Sequence, residues 1–118
     1  MNVYWIRCQN NNWCPLSTLN LNQNHFDNLR GVYIIWYWDD QGNPRTVKVG
    51  QGFIRDRLAA HRHDSKIQAN PFRTLYVTWA NLPPHLLDGV ERYLGTTLTP
   101  VASYVFPTAA PITVNLPW

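Results

Sequence analysis

Apolar positions fall in short bursts separated by turn-forming residues, a pattern of a small mixed domain rather than a helical one. The strongest burst is residues 31–38, Gly-Val-Tyr-Ile-Ile-Trp-Tyr-Trp. It is apolar or aromatic at both parities, as a central strand covered on both faces should be. Asp39-Asp40-Gln41-Gly42-Asn43-Pro44 reads as a turn, and residues 45–50 return as a second strand. Over 53–66 the period changes: Ile54 and Leu58 lie four apart while Asp56, Arg62 and Lys66 can face water, which predicts a helix. Asn70-Pro71 ends that helix, and residues 73–80 predict another strand. Pro83-Pro84 opens a second helix over 84–98, with Leu87, Val90, Leu94 and Leu98 on one broad face. At the start, residues 3–9 and 13–21 predict a β-hairpin about Asn10-Asn11-Asn12. At the end, 99–118 is proline-rich and predicts an extended tail packed on the core. The sum is one α+β domain over 1–118 with a small, mostly antiparallel sheet flanked by two or three helices. Residues 1–24 form its N-terminal hairpin extension and 25–118 its core.

Composition narrows the class. The 118 residues are 45% hydrophobic and 14% charged, too apolar for a disordered chain. No apolar run is long enough for a membrane span. Seven of the 12 asparagines fall between Asn10 and Asn28, which marks that stretch as turns and short irregular strands. The N-terminus has no basic start followed by an apolar run, so the expected location is the cytoplasm. Cys8 and Cys14 are accordingly expected as thiols, although the turn between them leaves a local bridge geometrically open. The net charge is +3, unevenly spread. Residues 45–73 hold seven Lys and Arg against Asp56 and Asp64, a local +5, while the remainder sums to −2. Arg45, Arg55, Arg62 and Lys66 of that segment are candidate phosphate contacts.

Three places combine reactive side chains. A hairpin symmetric about residues 40 and 41 sets Tyr33 opposite Lys48, with Cβ atoms about 5 Å apart. An ammonium there would favour the phenolate. On the first helix Arg57 and His61 are four apart, beside the Ile54–Leu58 stripe. On the second, Glu91, the one glutamate in the chain, projects at the edge of the apolar stripe. A carboxylate placed there needs a cation, either a basic side chain or a metal such as Mg²⁺.

In order, Gly31-Val32-Tyr33, Lys48-Val49-Gly50, Arg57, His61, Glu91 and Asn115 resemble the GIY-YIG nuclease domain. The family includes the excision-repair endonuclease subunit of bacteria, intron homing endonucleases and some restriction enzymes. The resemblance covers about residues 25–117, with Lys48 where the second motif tyrosine usually stands, as in certain restriction enzymes of the superfamily. It implies a metal-dependent endonuclease that hydrolyses phosphodiester bonds with Mg²⁺ or Mn²⁺. Tyr33 would be the base toward water, with His61 as an alternative acceptor or relay. Arg57 would bind a non-bridging oxygen, Lys48 could touch phosphate, Glu91 would hold the metal, and Asn115 would orient backbone or water. DNA is the implied partner, with RNA left open. No separate DNA-binding domain is evident, so targeting would fall to the N-terminal segment, a homodimer or a partner protein. The rival readings are a GIY-YIG-like module without catalysis that binds nucleic acid, and a protein-interaction domain.

Overall fold

The computed structural model describes residues 1–102, 105 and 107–118. Four strands, β1 (Cys14–Pro15), β2 (Arg30–Trp38), β3 (Pro44–Phe53) and β4 (Tyr76–Asn81), form one antiparallel sheet in the order β1-β4-β2-β3. Helix α1 (Ile54–His61) packs on one face and α2 (Pro84–Leu98) on the other. Alternation along β2 explains the two layers. Tyr33 and Ile35 join Ile54, Leu58, Val77 and Trp79 on the α1 side. Val32, Ile34 and Trp36 join Val49, Leu87, Val90 and Leu94 on the α2 side. The expected α+β class is therefore the observed one, and β2 is the doubly covered central strand. Among the described residues no helix is long and apolar enough to cross a membrane.

The β2–β3 register differs from the symmetric hairpin. The connecting loop is Asp39–Asn43, closed by Asp39 N–H donating to the Asn43 carbonyl (2.9 Å) and capped by the Asp39 carboxylate, which accepts from the Gln41 and Asn43 amides. A bulge beside Ile35 and Trp36 then adds one residue to β3. Together they move the partner of Tyr33 from Lys48 to Gly50, and Lys48 pairs with Ile35. A shift of two residues preserves parity, so Lys48 stays on the Tyr33 face as a diagonal neighbour.

The N-terminal stretch is not a hairpin. Its two halves run in line along β4: Ile6 N–H donates to the Trp79 carbonyl (3.0 Å), and Cys14, Pro15 and Leu16 continue against Val77, Tyr76 and Leu75. The residues between are pinched out as a loop, closed by a Cys8–Cys14 disulfide. The thiol expectation is thereby corrected, because edge pairing brings the two Cα atoms to 5.2 Å. Residues 16–27 then wrap beside α1, held by guanidinium tethers. Arg62 donates to the Leu16 carbonyl (2.8 Å) and to that of Leu19. Arg55 donates to the carbonyls of Leu21 (2.7 Å) and Gln23 (3.0 Å) and pairs with Asp27 (2.8 Å).

Helix α1 stops at His61 rather than residue 66. Just beyond it the Asp64 side chain accepts from Lys66 N–H (2.9 Å), a local turn that competes with helix. The chain end returns over the α2 side, where Ile112 N–H donates to the Gly89 carbonyl (2.9 Å) and Val114 enters the core.

Candidate functional site

The site forms where β2, β3 and α1 meet. Tyr33 and His61 are both buried, and the phenol oxygen lies 2.5 Å from His61 Nε2. Two motif glycines are required by close approach. Gly31 faces β4 so closely that a Cβ would overlap the Ala80 carbonyl. The Tyr33 ring lies across Gly50, where a Cβ would overlap the hydroxyl and the ring carbon that bears it. Tyr33 reaches His61 because residue 50, its cross-strand partner, has no side chain.

Arg57, one turn before His61, is exposed at its head, and its stem lies over Gly52. Its guanidinium charge acts on both Tyr33, whose ionised form it favours, and His61, whose charged form it disfavours. Lys48 is half-buried, and its charge is felt at His61. Glu91 is buried on α2, and its charge is felt at Tyr33. One turn earlier Asp88 accepts from the Gln51 side-chain amide of β3 (2.6 Å), fixing α2 against that strand. Nothing in the spacing of the sequence marks this contact, which depends on the β3 register.

These surroundings set the protonation states. Burial pushes the Tyr33 phenol above its ordinary range, against the pull of Arg57 and with a further push from Glu91. The expectation of a phenolate favoured by Lys48 is thus corrected: desolvation prevails, and Lys48 is not the directly opposed residue. His61 is pushed down to about 4, first by burial and then by Arg57 and Lys48, with Asp64 opposing. It is a neutral imidazole at pH 7. The Tyr33–His61 hydrogen bond runs in the direction that the His61 tautomer sets, and the remaining ring nitrogen is Nδ1. That nitrogen is buried without a hydrogen-bond partner among the described residues.

Five of the six sequence-predicted site residues are therefore coupled by contact or charge: Tyr33, Lys48, Arg57, His61 and Glu91. Asn115 is engaged elsewhere. Its side chain accepts from Val3 N–H (2.7 Å) and donates to the Val3 carbonyl (3.1 Å), while its own carbonyl accepts from the Trp5 indole (2.9 Å). It fastens the two chain ends together. Of the predicted phosphate contacts, Arg45 and Lys66 are exposed, whereas Arg55 and Arg62 serve as the tethers described above. Sequence alone could not reveal those tethers, because their acceptors are main-chain carbonyls.

Among the described residues no three or more His, Cys, Asp or Glu side chains gather into a metal-holding group. A Mg²⁺ ion commonly uses one or two carboxylates and completes its shell with water and substrate phosphate. Glu91, a buried carboxylate whose charge is felt at Tyr33, is the residue here that would hold such an ion. No family model matches the chain, and neither a curated protein nor a solved structure matches it.

Proposed function

We propose that this domain is a metal-dependent endonuclease of the GIY-YIG kind acting on DNA. The observation that carries the reading is the Tyr33–His61 hydrogen bond with the charges of Arg57, Lys48 and Glu91 acting on its two members, from four separate elements. Phosphodiester hydrolysis needs a proton acceptor for the attacking water and positive charge on the pentacovalent phosphate. Arg57 supplies a planar fork of donors at the exposed rim, and Lys48 a second cation behind it. The phenol oxygen of Tyr33 takes a proton from water while its own proton passes to His61 Nε2. The relay needs no free phenolate, which the raised Tyr33 pKa would make scarce at pH 7. Glu91 would hold Mg²⁺ or Mn²⁺, which when bound supplies Lewis-acid support to the leaving oxygen.

One observation favours a second reading, a module that binds nucleic acid without cutting it. Tyr33 is 0% exposed and His61 5%, so the relay is closed to bulk water in this state. Incubation of the pure protein with supercoiled plasmid and with RNA, in Mg²⁺ and in chelator, separates the two. Chelator-sensitive nicking supports the nuclease. Salt-dependent binding without nicking supports the module, and absence of both defeats the nucleic-acid reading.

A further inference from the structure

A groove of about 1120 Å³ runs along the β1 edge of the sheet, and none of the six predicted site residues lines it. One wall is the disulfide-closed loop, with Cys8 and Cys14 at its base and Gln9 and Asn12 along it. Trp13 of the same loop lines the groove together with Trp38 and Tyr76, and all three rings are partly exposed. Trp79, the cross-strand partner of Tyr33 on the α1 face, is also among the lining residues and donates its indole N–H to His25 Nε2 (3.0 Å). The loop is braced as well as closed. Cys8 N–H donates to the Asn12 carbonyl (2.8 Å), and the Arg7 guanidinium stacks 3.9 Å from the Trp13 ring centre.

The lining chemistry is specific. Rings offer flat apolar platforms, and five Asn and Gln side chains offer paired donors and acceptors. The lining includes Arg7 and His25 but no Asp, Glu or Lys. We propose that this groove binds unpaired nucleotides, stacking their bases on Trp13, Trp38 and Tyr76 and reading their edges with the amides. The inference deepens the nucleic-acid reading above and rests on it. Bases in a duplex are closed to such rings, whereas those of a single strand are open to them. The scarcity of cations means that bases rather than phosphates carry the affinity. Salt dependence is therefore shallow, with a log–log slope of about −1 for one or two phosphate contacts. The groove would then hold an unpaired flank while the Tyr33 site, on the other side of β2 from β4, meets the backbone.

The test is a titration of the ¹⁵N-labelled protein with oligothymidylate of about ten nucleotides, in chelator and without reductant. The indole signals of Trp13 and Trp38 should shift and saturate while that of Trp5 stays in place. Trp13→Ala should weaken binding about tenfold, in line with loss of one stacked base. Because Trp13 also packs on Trp36, the exposed double variant Gln9→Ala/Gln23→Ala provides a second, less disruptive loss of affinity. The titration is run in chelator, so it reads binding at the groove apart from any metal-dependent cleavage. Failed plasmid nicking would therefore count against the nuclease and not against the groove. Absence of saturable shifts, a steep salt slope, or competition by the neutral sugar maltohexaose at the same signals would overturn the proposal.

Discussion

The phenol of Tyr33 lies directly across Gly50 and ends 2.5 Å from His61 Nε2. The glycine is a packing requirement of that hydrogen bond. Gly50→Ala should force the ring aside and cost about 1–3 kcal/mol, the usual penalty for overfilling a packed site. Urea unfolding checks the stability, and the histidine ring signals in NMR check the displaced hydrogen bond. A Gly50→Ala protein as stable as wild type would show that the ring has another place to go.

The His61 environment makes stability fall in mild acid. Its folded pKa is about 4 against an ordinary 6.5, so the unfolded chain binds the proton first. The stabilisation is complete above about pH 6.5 and drains away as pH falls toward 4, by roughly 2–3 kcal/mol. Tyr33 acts at the other end. Its raised pKa means that the unfolded chain ionises first, so stability falls as pH rises beyond 10. Unfolding curves from pH 4 to pH 7 for wild type and His61→Gln check the first limb, and the variant should give the flatter profile.

The Cys8–Cys14 bridge closes a short loop at the sheet edge. In the chain-entropy picture a loop of this size is worth about 2 kcal/mol. The purified protein should show no thiols to an alkylating reagent before reduction and two after it. The Cys8→Ser/Cys14→Ser variant should unfold at correspondingly lower urea, and on the proposed function any plasmid nicking should persist.

Basic residues divide by what they touch. Arg62→Ala removes donors to the Leu16 and Leu19 carbonyls and should destabilise by about 1.5–3 kcal/mol. Arg45→Ala and Lys66→Ala, at exposed positions, should leave stability within about 0.5 kcal/mol. Each should lower the salt dependence of DNA binding. Thermal melts and binding isotherms at several salt concentrations separate the two classes.

Much of the fold was legible because local and global signals agreed. Helix α2 has the predicted bounds, since Pro84 at its start and a continuous apolar stripe leave little choice. Strand β2 differs by one residue, because its apolar run ends at a turn with a capping aspartate. The β3 register was not legible. The length of the 39–43 loop and a one-residue bulge fix it, and neither leaves a mark in hydropathy. The hairpin expected over residues 3–21 fails for a related reason. Their order depends on distant partners: the β4 edge, the guanidiniums of Arg55 and Arg62, and a cystine. In the candidate site, the placement of Arg57 one turn before His61 followed from helical spacing. Protonation did not follow, because burial decides it.

The measurement closest to the central claim is nicking of supercoiled plasmid by wild type and Glu91→Ala, prepared side by side and assayed in Mg²⁺ and in chelator. The account predicts nicking by wild type in Mg²⁺ alone and a loss of at least about a hundredfold in Glu91→Ala, of the size seen when a transition-state charge partner is removed. Equal nicking by the two proteins, or nicking that persists in chelator, would contradict it.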